Sequence, residues 1–229
     1  MRHLEAGLAA AGVAADVAAR IARYGTLLLE ANTRFNVTGA ATEEALLPHL
    51  LDALSIRAYV RGPLVDVGSG GGLPAIPLAL LTGFPVTLIE SSAKKAAFLR
   101  SIAREFRLEG TVYAGRAEDA GRDPAFRGRF ASGTARAVAS APAVAELLVP
   151  LLAVGGRAVL QRGGMGAAER NALEDAAPML GATVDQEIVI AGERRVLLLV
   201  KSMPTPGRFP RRAGVPARRP LCFGVPRGT

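Results

Sequence analysis

Apolar positions in the first 60 residues recur at the spacing of an α-helix. Charged and polar residues stand between them, so the segment predicts amphipathic helices rather than strands. The recurring apolar positions are Val17, Ile21, Tyr24 and Leu28. Further along, Thr42 precedes Glu43 and Glu44, which predicts a helix with a capping hydroxyl and an acidic first turn. We therefore expect residues 1–60 to form an N-terminal helical extension.

From residue 64 the pattern changes to short apolar runs, many of them β-branched, that alternate with helical stretches. Alternation of this kind is typical of βαβ units and a parallel sheet. The strand-like runs lie at 64–67, 86–90, 111–115, 130–137 and 156–161. Two last runs, at 182–190 and 194–201, flank Ala191-Gly192-Glu193 and predict a hairpin. We therefore predict an α/β fold over residues 61–202, with a Rossmann-like sheet that is mostly parallel and has one antiparallel strand.

Residues 203–229 differ in composition from the rest of the chain. Six prolines argue against a helix or a central strand in the segment, at positions 204, 206, 210, 216, 220 and 226. The pattern favours an extended or disordered C-terminal arm. Packing of residues 204–216 back onto the domain is the alternative.

Charge is concentrated in the same segment. The chain of 229 residues has a formal net charge of +8, and residues 203–229 hold six arginines and no Lys, Asp or Glu. A basic segment beside a nearly neutral body is typical of contact with a polyanion such as RNA. A solubilising tail is the alternative. The candidate RNA-contacting residues are Arg208, Arg211 and Arg212.

The numbers of cysteines and histidines argue against disulfide bonds and metal centres. Cys222 is the only cysteine, which excludes an internal disulfide and favours a cytoplasmic protein. The chain has two histidines, far apart in sequence, so we expect no metal centre. No apolar run reaches the ~20 residues that span a bilayer, and we expect no membrane partner. We expect a monomer.

The stretch LVDVGSGGGLP, residues 64–74, predicts a strand that runs into a glycine loop and a helix. Nicotinamide dinucleotide sites need glycine at the first, third and sixth places of such a loop. Gly68 and Gly70 fit, but Leu73 occupies the sixth place. Asp66, at the strand end, would repel a pyrophosphate and favours a ligand with an ammonium group. S-adenosylmethionine has an ammonium and a sulfonium group and no phosphate, so it is the favoured ligand.

Two further acids follow the next strands of the predicted sheet. Glu90 ends the second strand, 20 residues after Gly70. A carboxylate at this place accepts hydrogen bonds from both ribose hydroxyls in nucleotide-binding folds. Glu118 follows the third strand, in the loop that borders the adenine edge. Since the carboxyl ends of parallel strands meet at one sheet edge, we expect Asp66, Glu90 and Glu118 around one ligand.

These features resemble class I S-adenosylmethionine-dependent methyltransferases, and longer strings narrow the resemblance. Over roughly residues 15–221 the chain is similar to the bacterial 16S rRNA guanine-N7 methyltransferases known as glucose-inhibited division protein B. The strings that carry the similarity are Arg34-Phe35-Asn36-Val37-Thr38, His49-Leu50-Leu51-Asp52, Gly70-Gly71-Gly72-Leu73-Pro74-Ala75-Ile76-Pro77, Gly115-Arg116-Ala117-Glu118, Ala135-Arg136-Ala137-Val138-Ala139-Ser140, Pro204-Thr205-Pro206 and Phe209-Pro210-Arg211-Arg212-Ala213-Gly214-Val215-Pro216.

The resemblance implies transfer of a methyl group from S-adenosylmethionine to N7 of a guanine in the 530 loop of 16S rRNA, with S-adenosylhomocysteine as product. The implied partner is 16S rRNA, the small ribosomal subunit or its precursor. Cofactor-contacting positions carry over as Gly68, Leu73, Ala117, Glu118 and Arg136, to which the spacing adds Asp66, Gly70 and Glu90. We expect Arg136 to position the reactants; direct contact with guanine O6 is the alternative.

Departures from the family pattern leave two other functions open. Ala131 stands where an aspartate is common, and Gln161-Arg162-Gly163 replaces a usual Lys-Gly. Both touch the expected substrate side, so a non-catalytic cofactor-dependent RNA-binding module is one alternative. A small-molecule methyltransferase is the other. His49 and Asp52 lie three residues apart on one helix face and either pair beside the cleft or form an ordinary surface pair.

Overall fold

A seven-stranded sheet forms the centre of the fold in the computed structural model, which describes residues 2–222. The strands lie in the order β3-β2-β1-β4-β5-β7-β6. Strand β7 runs antiparallel to both neighbours, β5 and β6, and the other pairings are parallel. The predicted α/β, Rossmann-like sheet with one antiparallel strand is confirmed. The strands are β1 (Leu64–Val67), β2 (Val86–Glu90), β3 (Gly110–Ala114), β4 (Phe130–Arg136), β5 (Leu152–Arg162), β6 (Ala182–Ala191) and β7 (Arg194–Lys201).

Nine α-helices accompany the sheet within residues 2–222. They are α1 (Arg2–Ala10), α2 (Ala15–Asn32), α3 (Glu43–Ser55), α4 (Ala75–Thr82), α5 (Ala93–Glu105), α6 (Ala117–Ala120), α7 (Ala141–Leu148), α8 (Ala167–Met179) and α9 (Val215–Arg218). The cap predicted for α3 is present, since Thr42 Oγ1 accepts a hydrogen bond of 3.3 Å from the Ala45 amide. The sequence analysis did not predict α8.

Two hydrophobic clusters cover the two faces of the sheet. In the first, apolar side chains of α1–α4 and α5 pack on residues such as Leu64, Leu88 and Val159. In the second, α7 and α8 pack on residues such as Val65 and Leu160. Burial of this apolar surface is the main stabilising contribution to such a layered fold. The N-terminal helices therefore share a core with the sheet.

The strand order places a crevice at one edge of the sheet. The chain moves outward from β1 to β2 and β3, then returns to β4 on the other side of β1. The connections that follow β1 and β4 therefore leave towards opposite faces, and a gap opens beyond their carboxyl ends. Ligands bind at such a switch point in open α/β sheets.

The described part of the C-terminal arm packs on the domain. We call residues 203–221 the C-terminal segment. Its side chains Thr205, Phe209 and Leu221 are buried, and Phe209 and Leu221 belong to the cluster around α7. This is the packed alternative rather than a free arm for this part of the chain. Residues 223–229, with Arg227, and Met1 lie outside the described residues.

Within residues 2–222, none of the helices has both the length and the apolar character that crossing a bilayer requires.

Candidate active site

A cavity of about 640 Å³ opens at the predicted switch point. Its floor is the glycine loop after β1, residues 68–73. Its walls come from residues 37–39 and α3, from the connection after β4, from the end of β5 and from the β6–β7 hairpin. The volume lies within the range of about 300–1,000 Å³ that is usual for ligand sites. Parts of the N-terminal extension and the sheet thus enclose one site.

The glycine loop has a backbone that most residues adopt only with strain. Gly68, Gly70 and Gly72 have φ values of 70°, 55° and 103°, in the left-handed region. Gly71 has an ordinary φ but no space for a side chain, since a Cβ there would lie 2.7 Å from the Val37 carbonyl oxygen. The backbone is therefore close to the N-terminal extension on one side and open to the cavity on the other.

Two side chains fix this loop from opposite directions. The hydroxyl of Tyr24, on α2, donates a buried hydrogen bond of 2.8 Å to the Gly71 carbonyl oxygen. Burial raises the pKa of Tyr24 above its ordinary value, so the hydroxyl stays protonated as a donor. From the sheet side, Glu90 Oε2 accepts from the Gly70 amide at 2.9 Å, and its Oε1 accepts from the Ser92 amide at 2.7 Å. Glu90 therefore holds the loop through two backbone amides; its side chain is buried and is not among the residues that line the cavity.

Asp66 does not lie where the sequence analysis expected it. Its carboxylate is 1% exposed and does not line the cavity. Oδ1 accepts from the Thr134 hydroxyl at 2.7 Å, and Oδ2 has no hydrogen-bond partner. Burial raises the pKa of Asp66 to about 7, although Thr134 and Ser69 act in the opposite direction. The expected direct contact with a ligand ammonium group is corrected, since the Asp66 carboxylate is enclosed beneath the loop with Thr134 as its side-chain partner.

Glu118 also faces away from the cavity. Its Oε1 accepts from the Gly214 amide at 2.7 Å and from Arg116 at 3.1 Å, while Oε2 is buried without a partner. Burial acts to raise the pKa of Glu118, but the hydrogen bonds, led by that from Gly214, outweigh it and the net pKa is lowered. The side chain thus bonds to the C-terminal segment, and neither Ala117 nor Glu118 is among the residues that line the cavity.

Arg136 ends β4 and lines the cavity. Its Nη1 lies 3.6 Å from Asp52 Oδ2, and Arg194 Nη1 lies 3.5 Å from Asp52 Oδ1. Asp52 therefore pairs with two arginines, and the pairing suggested with His49 is replaced by this network. Gln161 joins it by donating from Nε2 to the Asp52 carbonyl oxygen at 2.7 Å. The departure at Gln161 thus links β5 to α3.

The connection after β4 lies over the glycine loop. Ala137 has a φ of 54°, an uncommon value for a residue with a side chain. Val138 covers Gly68, where an added Cβ would lie 2.7 Å from Val138 Cγ2. Beyond it, the Ala141 amide donates to Glu169 Oε1 at 2.7 Å, and Arg162 donates to Glu169 Oε2 at 2.7 Å. The other departure, Ala131, lies on β4 outside the cavity lining.

The cavity wall is strongly cationic. Asp52 is the one carboxylate among the described lining residues, against Lys95, Arg136, Arg162, Arg194 and Arg195. Glu169 and Glu187 pair with Arg162 and Arg195 from behind the wall. The lining therefore suits an anionic ligand.

Burial and the nearby Arg136 lower the pKa of His49, which is therefore neutral at pH 7. No group of three or more metal-ligating side chains occurs within residues 2–222.

The three predicted RNA-contacting arginines divide into two kinds. Arg208 is exposed with its guanidinium 5.1 Å from the Phe209 ring centroid, and Arg212 is exposed. Arg211 instead bonds to the fully buried Glu146, with Nη2 2.6 Å from Oε2. The expectation of RNA contact at Arg211 is therefore corrected, because its charge is used inside the protein.

Sequence reasoning missed the side chains that shape the loop near the cavity. Asn32 Oδ1 accepts from the Val37 and Thr38 amides, and its Nδ2 donates to the Ala40 carbonyl oxygen. In the sequence, the role of Asn32 is indicated by a side-chain amide that comes just before a glycine-containing loop. The role of Tyr24 is indicated only by a hydroxyl group on an otherwise apolar helix face.

Known proteins resemble this chain in sequence and in fold. The family model described as GidB, rRNA small subunit methyltransferase G, matches residues 18–198. A ribosomal RNA small subunit methyltransferase G from Rubrobacter xylanophilus is 46% identical over 213 residues, which cover 86% of this chain and 82% of that relative.

Solved structures share the fold at low identity. A ribosomal protein L11 methylase from Lactobacillus delbrueckii subsp. bulgaricus has a TM-score of 0.52 at 19% identity, over 69% of this chain and 80% of that one. A mutant of MtNAS in complex with S-adenosylmethionine has a TM-score of 0.53 at 17% identity, over 78% and 73%. These similarities show a class I methyltransferase fold.

The buried Asp66 predicts a specific dependence of stability on pH. Its pKa is raised in the folded chain, so the folded state binds more protons than the unfolded state between the ordinary value of 3.8 and about 7. Stability is therefore lost as pH rises through this window. Asp66→Asn removes the loss, and its gain over wild type should grow from pH 4 to pH 8 by on the order of 4 kcal/mol.

Thermal unfolding of both proteins without ligand across this pH range measures the difference. Asp16→Asn, at an exposed position on α2, is the matched control and should show no such trend. A difference between wild type and Asp66→Asn that is the same at every pH contradicts the buried, uncompensated carboxylate.

Proposed function

The chain belongs to the rRNA small subunit methyltransferase G family, and on that premise we propose that it methylates N7 of a guanine in the 530 loop of 16S rRNA, with S-adenosylmethionine as methyl donor. The base and the loop come from the resemblance of the motifs around Arg34, Gly70, Arg136 and Pro210. The observation that supports the proposal most is the cation-lined cavity above the glycine loop, because it joins a nucleoside site to a wall suited to phosphate.

The glycine loop and the residues around it fit S-adenosylmethionine. Gly68 and Gly70 bring the backbone to the cavity surface without side chains, and Leu73 lines the cavity beside them. The Glu90 carboxylate accepts two hydrogen bonds, from the Gly70 and Ser92 amides, and has further lone pairs that can accept from ribose hydroxyls. We propose Gly68, Gly70, Leu73, Glu90, Ala117, Glu118 through its backbone, and Arg136 as the cofactor-binding set.

When bound, the cofactor supplies an electrophilic methyl group on sulfur. Guanine N7 has an in-plane lone pair and no hydrogen, so no general base is required. The protein therefore has to align two groups, and alignment of this kind can lower a barrier by ~7–11 kcal/mol. We assign this task to Arg136, which lines the cavity and pairs with Asp52 from the α3 side. The neutral His49 and the doubly paired Asp52 take no proton in this scheme.

The cationic wall favours RNA over a small neutral substrate. S-adenosylmethionine is itself positively charged and gains nothing from the excess of cations over carboxylates in the cavity lining. Phosphates on both sides of a target nucleotide would interact favourably with Lys95, Arg162, Arg194 and Arg195. The exposed Arg208 and Arg212 would extend the contact along the RNA. A small neutral substrate would make no use of this positive charge.

Glu90 should show a measurable preference for a ribose hydroxyl. Wild type and Glu90→Ala are titrated calorimetrically with S-adenosylhomocysteine and with its 2′-deoxy analogue. Wild type should bind the deoxy analogue more weakly by about 2 kcal/mol, the usual strength of a hydrogen bond to a charged group. Glu90→Ala should bind both ligands equally, because the acceptor is gone.

Glu109→Ala, at an exposed acid beside β3, serves as control and should discriminate like wild type. Equal discrimination by Glu90→Ala and wild type would show that Glu90 only supports the loop.

The activity itself is tested with ribosomal particles that lack the modification. The chain, labelled S-adenosylmethionine and either free 16S rRNA or 30S particles are incubated, and the RNA is digested to nucleosides. We expect N7-methylguanosine, mapped to the 530 loop by chemical cleavage at that base and primer extension. Arg136→Ala should reduce the rate about 100-fold, as expected for misaligned reactants.

Arg57→Ala, on an exposed turn after α3, should retain the rate. Bound S-adenosylmethionine and RNA without any turnover would favour the non-catalytic alternative. Methylation at another atom or another loop would refute the proposed target and leave the family membership intact.

A further inference from the structure

The C-terminal segment, residues 203–221, is attached to the domain at three places. The first attachment is made by Arg127 of the domain, at the start of the segment. Arg127 donates to the carbonyl oxygens of Thr205, Pro206 and Phe209, and also to that of Gly121 just after α6. The Thr205 hydroxyl donates to the Leu180 carbonyl oxygen at 2.7 Å. One guanidinium thus joins the segment to the end of α6.

A buried ion pair makes the second attachment. Glu146, on α7, is fully buried, and its carboxylate accepts from the Arg211 backbone amide at 2.7 Å, from Nε at 2.9 Å and from Nη2 at 2.6 Å. Arg211 Nη2 also donates to the Arg219 carbonyl oxygen. Displacing the segment would leave a buried carboxylate without a partner, which is strongly unfavourable. The docked arrangement is therefore the stable one.

The third attachment reaches α6 and the residues just after it. The Gly214 amide donates to Glu118 Oε1 at 2.7 Å, and Arg122 Nε donates to the Pro210 carbonyl oxygen at 2.9 Å. Pro210 also packs so closely on Gly121 that a Cβ there would lie 2.9 Å from the proline ring. Residues 210–214 thus contact α6 through the Glu118 side chain, and Gly121 and Arg122 just after the helix.

We propose that the C-terminal segment is a positioning element for the cofactor, and that Arg211 and Glu146 act through it to hold the Ala117–Glu118 backbone against the adenine ring. The proposal rests on the cofactor site proposed above and is independent of the RNA target. The segment lies beyond residue 198, where the family match ends. It contributes to ligand affinity without touching the cavity lining.

Calorimetric titration with S-adenosylhomocysteine tests the proposal. Arg211→Met should weaken binding at least about fivefold, the lower end of typical coupling between distant sites. Glu146→Met together with Arg211→Met replaces the ion pair by two apolar side chains and should restore affinity to within about twofold of wild type, since such exchanges are often tolerated. Arg219→Met, at an exposed side chain of the same segment, should leave affinity unchanged.

Hydrogen exchange provides a second test of the proposal. It uses the wild-type chain, so it does not depend on a variant that folds. Because coupling is reciprocal, S-adenosylhomocysteine should slow exchange at residues 205–221 as well as at 115–121. Protection confined to the cavity lining, or an Arg211→Met affinity equal to that of Arg219→Met, would overturn the proposal. Absence of binding by the wild type would instead refute the cofactor site, so the two failures are distinguishable.

Discussion

The hydrogen bond from the Tyr24 hydroxyl to the Gly71 carbonyl oxygen is the interaction on which the site depends most. The glycine loop must expose backbone to a ligand, so it has few side-chain contacts of its own. Its shape is therefore set by its neighbours, with Tyr24 on one side and Glu90 on the other. Both partners are buried or nearly so, which makes each hydrogen bond costly to break.

Two peripheral parts of the chain approach the sheet edge from different directions. The N-terminal extension reaches the cavity through Tyr24, through the loop shaped by Asn32 and through Asp52. The C-terminal segment reaches only the far side of α6, through Gly214. The first shapes the glycine loop and Arg136, and the second contacts the region proposed for adenine. The site is therefore shaped by the methyltransferase sheet together with the N-terminal extension and the C-terminal segment.

The fold followed from the sequence more fully than the site did. Alternating apolar runs predict each strand, because burial imposes the period of the element that carries it. The same period places Asp66 at a strand end but does not show that its carboxylate turns towards Thr134. Likewise, the prolines argue against helix over most of residues 203–221, where the structure has the four-residue α9, without showing that Arg211 bonds to Glu146. These partners lie far apart in sequence, and their contacts depend on the packed structure.

The N-terminal extension controls the glycine loop through Tyr24, and Tyr24→Phe tests this directly because the substitution removes one hydroxyl and keeps the ring. Loss of the buried hydrogen bond leaves the Gly71 carbonyl oxygen without its partner, at a cost of about 1–3 kcal/mol. We expect the affinity for S-adenosylhomocysteine to fall at least about fivefold, while Tyr59→Phe, on the turn after α3, binds like wild type. Equal affinities for Tyr24→Phe and wild type would contradict the account.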